Sequence, residues 1–339
     1  MRTTSLLLAL TGGLAGASPV EGQAVLSLPG KTVEVIGLQR WTIQMMQDSI
    51  AKYAPGESLA SHACAAVLRY KLGFAEASST TYLGWTRGDT TPRIVVAVVE
   101  PQDSARIRHR SMPMDSTAPF SPWVTAVALV AKSPGVVEAA VSSYLKWRLD
   151  SVGTAVPGYA RRDSTSVRAY WHFLADHARP SDFADARRIL LGDRDYRNRT
   201  VAASILANFV DRDSSWYALV EAVRESDGLV KVVSGVVLST ASRDAKRPVD
   251  WTPAAPSLHS ILDGTSLFQL PVVIDALLAT GVDRRLAHSL LGRGGRMLLS
   301  FMEAQHPAPR GSAHRLLVAL AGQDLGDDVG KWRSWIDGL

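Results

Sequence analysis

The residues best suited to acid–base chemistry follow the apolar run "IVVAVV" (94–99). Glu100 and Asp103 come directly after this run, and His109 is the nearest candidate base. Carboxylates at the carboxyl end of a buried strand stand where α/β proteins often place their sites. These three residues support one hypothesis, a hydrolase site in the first half of the chain. The alternative is structural, because Glu100-Pro101 also ends a strand without any catalytic role.

Other catalytic and metal-binding patterns are weak. The sequence contains no Gly-x-Ser-x-Gly element, no Walker loop and no His-Glu-x-x-His pair. His62 and Cys64 are two residues apart, so they point to different faces of a predicted helix. His172 and His177 are also poorly spaced to share a ligand on one helix face. The sequence therefore predicts no metal site and no cofactor.

Five residues are candidates for contact with a partner. Trp216, Tyr217 and Trp251 flank predicted loops on one side of the helical half, and exposed aromatic side chains often anchor a protein partner. Arg293 and Arg296 lie in the Gly-rich turn "LLGRGGRML", where a guanidinium group can bind an anion near the next helix. We expect these residues to bind a protein or peptide. The alternative for the aromatic rings is that they pack between repeats.

The distribution of charge argues against nucleic acid as a partner. The net charge is +5 at pH 7, but basic and acidic residues are interleaved and nearly balanced in the second half. A nucleic-acid-binding protein would be expected to cluster its positive charge on one surface. The only dense basic run is "RIRHR" (106–110), which alternates as a strand does. We interpret it as an edge strand guarded by charge, with an anion site as the alternative.

The elements that must position these residues change in type near the middle of the chain. Strands are predicted for "TVEVIG", for "IVVAVV" and for residues 125–130. Helices are predicted over 39–53, over 58–72 and over 134–149. From Ser164 onward the patterns are helical only. Six of these helices are predicted near 257–263, 267–280, 283–292, 294–305, 311–321 and 328–337.

The predicted fold class is therefore α+β overall. A small α/β domain occupies 25–150, a linker rich in Gly and Pro occupies 151–163, and an all-α region occupies 164–339. A Pro-rich insertion over 242–256 interrupts the helical region.

The segments "DRDYRNRTVAASILANF" and "ESDGLVKVVSGVVLSTA" repeat one pattern at an offset of 32 residues. Each has an Asp before a helix and a basic residue four positions later. Such an Asp can cap the helix, and the base can reach an acid of the next repeat. This predicts a ladder along a solenoid of stacked helix pairs. Its members are Asp195, Arg199, Asp227 and Lys231.

The starts "DYRNR" and "DGLVK" resemble the Asp-x-x-Val-Arg start of HEAT repeats. The ending, with Gln323, Asp324, Gly326, Trp332 and Trp335, is similar to the turn and Trp-rich cap that close bacterial HEAT arrays. The resemblance covers 164–339 only. It implies a helical solenoid that serves as a binding or scaffolding surface.

The N-terminus resembles an export signal. Arg2 precedes the apolar stretch "LLLALTGGLAGA", which is too short to span a bilayer. We expect a signal peptide over 1–24, with cleavage after Ala24; a second small-residue site ends at Ala17. The alternative is a buried apolar helix. The one cysteine, Cys64, allows no intrachain disulfide.

Together these patterns favour an exported, periplasmic or secreted protein with no enzymatic activity. Its helical solenoid would act as a scaffold or adaptor that binds a protein or peptide, through the inner helices and the loop at 242–256. A hydrolase sited around Glu100 is the competing hypothesis. An envelope protein that only bridges other components is a third.

Overall fold

The computed structural model describes residues 22–82, 91–113, 121–150, 164–226, 228–245, 247–292 and 294–339. A four-stranded sheet opens this part of the chain, in the order β1-β2-β4-β3. Strands β2 and β4 are parallel, whereas β1 pairs with β2 and β3 with β4 in antiparallel fashion. The strands are β1 (Gly22–Leu28), β2 (Lys31–Leu38), β3 (Glu76–Tyr82) and β4 (Arg93–Val99).

The sheet is covered on both faces, as the apolar run of β4 predicts. Ile94, Val96 and Val98 point to one face, and Val95 and Val99 belong to a separate core on the other. The first face packs against helices α1 (Ile43–Tyr53) and α2 (Cys64–Tyr70). Burying a valine side chain contributes roughly 1.5–3 kcal/mol, so β4 is a central stabilising element of the fold.

The remaining described helices form an array behind the second face of the sheet. They are α3 (Val124–Lys132), α4 (Pro134–Asp150), α5 (Ser164–Asp176), α6 (Pro180–Gly192), α7 (Tyr196–Ile205), α8 (Asp213–Val223), α9 (Gly228–Arg243), α10 (Ala255–Leu262), α11 (Leu270–Ala279), α12 (Ala287–Leu291), α13 (Arg296–Met302), α14 (Pro307–Ala321) and α15 (Val329–Asp337). The α+β class and the helices predicted after Ser164 are confirmed. Helices α6–α7 and α8–α9 are successive pairs at the 32-residue offset.

Two predictions for the first half are wrong. Residues 125–130 form helix α3 instead of a strand, with Ala126, Val127 and Val130 buried on one helical face. A short apolar run fits either structure, and packing on α7 and α4 decides in favour of the helix. The helix predicted from Ser58 begins only at Cys64, after a turn in which Gly56 adopts a positive φ of 95°.

The helices stack in layers. Helices α6, α8 and α10 form an outer layer, while α7, α9 and α11 lie beneath them. The inner helices are covered on their other side as well, because α3 packs on α7 and α4 packs on α9. Every residue from Asn198 to Ile205 of α7 is buried, as expected for a helix enclosed on all sides.

The predicted domain boundary does not follow this packing. Helices α3 and α4 join the helical array, and one apolar core contains both sheet residues such as Val95 and array residues such as Val237. The predicted linker over 151–163 lies outside the described residues.

Most of the predicted signal peptide also lies outside the described residues. The expected cleavage point after Ala24 falls inside β1, where Ala24 pairs with Val35. In the described part of the chain, no single helix is both long and apolar enough to cross a bilayer.

Candidate binding cleft

Glu100, the first predicted catalytic carboxylate, has a structural role. Its side chain is 1% exposed. One carboxylate oxygen, Oε1, accepts hydrogen bonds from three successive backbone N–H groups, those of Gln39 (2.7 Å), Arg40 (2.9 Å) and Trp41 (2.9 Å). Such a nest of N–H groups stabilises an anion. Glu100 therefore fixes the turn that follows β2.

Asp103 lies in the 3-10 turn Pro101–Arg106, and its carboxylate faces two arginines. Arg106 Nη1 lies 3.9 Å from Asp103 Oδ2, and Arg296 Nη1 lies 3.9 Å from Asp103 Oδ1. The Asp103 carboxylate therefore lies between these two guanidinium groups.

His109 is placed with different partners. Its Nε2 lies 3.5 Å from Glu76 Oε2, and its Nδ1 lies 3.1 Å from the carbonyl oxygen of Arg224. Burial lowers the pKa of His109, and the Glu76 carboxylate opposes that shift. Among the described contacts, none joins His109 to Glu100 or Asp103. The structure does not assemble the predicted acid and base.

The basic run at 106–110 is not an edge strand. Residues 107–113 belong to no helix or strand and cross the ends of the outer helices; we call them the strap. The backbone N–H of Arg108 donates to Thr265 Oγ1 (3.0 Å), and its carbonyl accepts from Arg224 Nη2 (2.8 Å). Arg106, just before the strap, donates to the carbonyl oxygen of Asp263 (2.7 Å). The hydrogen-bond partners of this segment come from helices and turns, so the alternating pattern of its residues does not indicate a strand.

Arg110 anchors the strap to two outer helices. Its guanidinium donates to the carbonyl oxygens of Leu190 (3.0 Å) and Leu191 at the end of α6. It also lies 3.0 Å from Glu225 Oε1, beyond the end of α8. Only 9% of the Arg110 side chain is exposed. Its guanidinium group therefore stabilises the position of the strap.

Of the predicted ladder, Arg199 reaches the neighbouring helix pair, but its acid is Glu225. Asp195 caps α7 by accepting from the Arg197 N–H at 2.8 Å. The Arg199 guanidinium donates to both carboxylate oxygens of Glu225, at 2.8 to 3.0 Å. Asp227, the expected acid, lies outside the described residues, and Lys231 is buried on α9. Arg199 is also fully buried, so this link between two helix pairs is internal.

The two tryptophans are not exposed anchors. Trp216 and Trp251 are 3% and 1% exposed. Their indole N–H groups donate to the Val210 carbonyl (2.8 Å) and to Thr280 Oγ1 (2.9 Å). The rings meet edge to face with centroids 6.0 Å apart, so they pack between repeats and offer no surface to a partner.

Tyr217 remains partly accessible in a shallow groove on the outer layer. Its hydroxyl donates to the carbonyl oxygen of Asp250, and burial raises its pKa to about 12. The groove also contains Arg187 and Pro253, and its volume is about 180 Å³. The predicted loop over 242–256 thus contributes to an outer surface through Pro253.

A larger cleft surrounds Arg296. It has a volume of about 470 Å³ and lies where the end of β2 meets α13 and α15. Its lining combines four charged side chains with three apolar ones; the lining residues are Leu38, Gln39, Gly294, Arg296, Leu299, Ser300, Glu303, Arg333, Ile336 and Asp337. Arg293, the other predicted anion-binding residue, lies outside the described residues.

The two arginines of this cleft are held loosely. The Arg296 side chain is 62% exposed, and its contact with Asp103 spans 3.9 Å. The Arg333 side chain is 52% exposed and lies 3.6 Å from Glu303 Oε1. Exposed pairs of this kind contribute at most about 1 kcal/mol. Both guanidinium groups are therefore free to turn toward a ligand at low energetic cost.

Sequence reasoning missed most of this cleft. No sequence motif includes Arg333, Glu303 or Gln39. The pattern of Trp332 and Trp335 indicates only a structural cap. Their convergence depends on α15 reaching the end of a strand almost 300 residues earlier in the chain, which local patterns do not report.

Among the described residues, no group of three or more His, Cys, Asp or Glu side chains gathers as a metal site would. No family model matches the chain, and neither a curated protein nor a solved structure matches it.

Proposed function

We propose that this chain is a non-enzymatic binding protein that recognises a segment of a protein or peptide in the cleft between β2, α13 and α15. One observation carries the proposal: two exposed, loosely held arginines, Arg296 and Arg333, line a cleft of about 470 Å³ together with apolar side chains. Ligand sites generally have volumes of roughly 300–1,000 Å³ and combine an apolar lining with a few convergent polar groups.

The chemistry of the cleft favours a peptide segment that pairs a carboxylate with an apolar side chain. A guanidinium group binds a carboxylate through two parallel hydrogen bonds. Leu299 and Ile336 offer the apolar contact. Glu303 and Asp337 add negative charge to the same wall, which suits the basic or backbone N–H groups of a peptide.

This location replaces the inner-helix surface expected from the solenoid pattern. Helices α7 and α9 are covered by α3 and α4, so their inner face offers no groove to a partner. The successive helix pairs support the resemblance to HEAT repeats, whose arrays serve as binding surfaces. The apolar N-terminal stretch supports export to the periplasm or the medium, where such a protein would act as a scaffold or adaptor.

The residues predicted for a hydrolase site do not form a common site. Glu100 is bound by backbone N–H groups, and His109 pairs with Glu76. No observation on the described residues favours that reaction over binding.

The proposal is tested by capture from the native envelope fraction with the full chain, followed by quantitative mass spectrometry. The cleft variant is Arg296→Gln with Arg333→Gln. The matched control is Arg285→Gln with Arg310→Gln, two exposed arginines outside the cleft. We expect a protein retained by the wild type and the control to be reduced at least tenfold on the cleft variant, since hydrogen bonds to charged groups contribute roughly 1.5–3 kcal/mol each and glutamine replaces only part of that energy. Equal retention by all three chains, or retention by none, would refute the cleft as the binding site.

A further inference from the structure

In the part of the chain that the structure describes, the outer edge of the first strand has no partner strand, and its register is irregular only at the start, between Gly22 and Gln23. Among the described residues, β1 pairs only with β2, and its sequence "GQAVLSL" contains no charged residue. Natural edge strands are normally guarded by charges, bulges or a covering element. The opposite edge is covered: β3 packs on the 3-10 turn Leu267–Gln269, and Tyr82 stacks on His306 with ring centroids 4.3 Å apart.

A groove lined by both apolar and polar side chains lies beside this edge. It has a volume of about 380 Å³ and lies between β1 and α1. Leu26 and Leu28 contribute from β1, and Ile50 and Leu59 contribute from the core beneath. Leu26 and Leu28 are two residues apart and share a face of the strand. An added strand would place its own alternate side chains beside them.

The rim of this groove is acidic. Asp48 of α1 and Glu57 of the following loop both line it and are exposed. Asp48 accepts a hydrogen bond from Gln44 Nε2 at 2.8 Å, which leaves its charge in place. None of the described lining residues is basic. The rim of the groove is therefore negatively charged, whereas the whole chain has a net charge of +5. This local negative charge favours a cationic occupant.

We infer that the open edge of β1 binds an extended, basic segment of a partner protein by strand addition. Main-chain hydrogen bonds to β1 would provide affinity, as in other cases where a peptide extends a sheet. Alternate apolar side chains of the segment enter the groove, and an intervening lysine or arginine meets Asp48 and Glu57. This surface is separate from the cleft at Arg296.

A second copy of the chain fits this edge less well. Antiparallel two-fold pairing of β1 with β1 would bring both α1 helices to the same face of the joined sheet. The acidic rims, each with Asp48 and Glu57, would then face each other without a cation. Like charges brought together at an interface disfavour that pairing.

The test uses the full chain and fluorescence anisotropy with three labelled nine-residue peptides blocked at both ends. The first alternates valine and lysine, the second alternates valine and glutamate, and the third is the first with every second backbone nitrogen methylated. We expect the valine–lysine peptide to bind, and the other two to bind at least tenfold more weakly. Neutralising the rim with Asp48→Asn and Glu57→Gln should weaken the valine–lysine peptide about fivefold, as for two exposed ion pairs.

Two controls separate this site from the rest of the molecule. Asp185→Asn with Asp327→Asn removes two exposed acids elsewhere and should leave the affinity unchanged, as should Arg296→Gln with Arg333→Gln. Binding that survives backbone methylation or rim neutralisation would overturn the inference, and so would no binding at all. Self-association of the chain in analytical ultracentrifugation that is blocked by the valine–lysine peptide would instead assign the edge to a second copy.

Discussion

At the scale of single residues, the structure contains a buried carboxylate that is shared by two arginines. Glu225 is 1% exposed and contacts Arg199 through two hydrogen-bonded oxygens and Arg110 at 3.0 Å. Taking these charges out of water is costly, and the attraction offsets that cost only when the geometry is good. Carbonyl oxygens of Asp193 and Arg194 accept the remaining Arg199 donors, so the arginine is well satisfied.

The first prediction concerns this network. Glu225→Gln leaves the Arg199 charge buried without a counter-charge, and we expect it to lower the free energy of unfolding by about 3–5 kcal/mol. Urea denaturation measures the loss. Asp185→Asn, which removes one partner of an exposed pair with Arg188, should change stability by less than about 1 kcal/mol. A similar small effect for Glu225→Gln would show that the network does not carry this energy.

The second prediction concerns acid sensitivity at His306. Its Nδ1 accepts from the Ala308 N–H at 3.2 Å and so caps α14. Burial, and then the charge of Arg93, lower its pKa from 6.5. The folded protein therefore favours neutral His306, whereas the unfolded chain takes up a proton as pH falls through 6.5. Stability contributed by the neutral form is present above that pH and is lost below it.

His306→Asn keeps an oxygen that can accept at the cap but removes the titration. The wild type should lose more unfolding free energy between pH 8 and pH 5.5 than His306→Asn does, although the variant starts lower because it lacks the ring stacked on Tyr82. His109 titrates in both chains and cancels in the comparison. Equal losses between the two pH values would contradict the assignment.

At the scale of elements, the sequence predicts most of the array and little of the strap. Strand β4 is recognisable because its uninterrupted apolar run, rich in valine, suits a strand buried on both faces. The helices after Ser164 are recognisable from their spacing and from Gly and Pro at their ends. Helix α3 is not, because "TAVALV" fits a strand as well as a helix until α7 and α4 pack on it. The strap is missed because its partners lie about 80 to 160 residues away in sequence.

The site is predicted only in part, for the same reason. Arg296 is identified from its Gly-rich turn. Trp216 and Trp251 flank predicted loops, as interface anchors often do, but that position does not distinguish a ring packed between repeats from one on the surface. Arg333 joins the cleft only through the packing of α15 near β2.

The third prediction concerns the close approach of β2 and β4. Gly37 has a φ of 89°, and a Cβ there would lie 2.3 Å from the backbone oxygen of Val98. Gly37→Ala should destabilise the protein by more than about 3 kcal/mol, because backbone strain is added to a clash that no side chain can relieve. Gly30→Ala is the matched control, since Gly30 has a φ of 71° but open space around it.

The Gly30→Ala control measures the free-energy cost of the left-handed backbone conformation without the clash. We expect Gly30→Ala to cost about 1–2 kcal/mol from the left-handed backbone alone, as measured by urea denaturation. If the two variants are equally destabilised, the close approach of the strands is not what Gly37 provides.

At the scale of the whole molecule, the helical array is packed together with the first half of the chain. Its inner helices are covered by α3 and α4, and its apolar core continues into the sheet through Val95, Ala97 and Val99. The strap adds polar contacts across α6 and the ends of α8 and α10. The proposed binding cleft lies at this junction, with one wall from β2 and two from α13 and α15. Recognition there depends on both halves keeping their relative position.

The fourth prediction follows from the shared core. A chain that begins at Ser164 would expose the apolar face of α7 and α9 that α3 and α4 cover, so it should not reach the stability of the full chain. The two halves should open together in the intact protein, because the core behind the second face of the sheet is shared with the array.

Native-state hydrogen exchange at increasing urea concentrations tests this account most directly. The amides of β4, from Val95 to Val98, report on the sheet, and those of α9, from Val233 to Leu238, report on the array. If the molecule is one cooperative unit, both sets should exchange with the free energy of global unfolding, within about 1 kcal/mol of each other. Exchange of the β4 amides at a free energy several kcal/mol lower, while the α9 amides remain protected, would show that the sheet is a separate unit and would contradict the central claim.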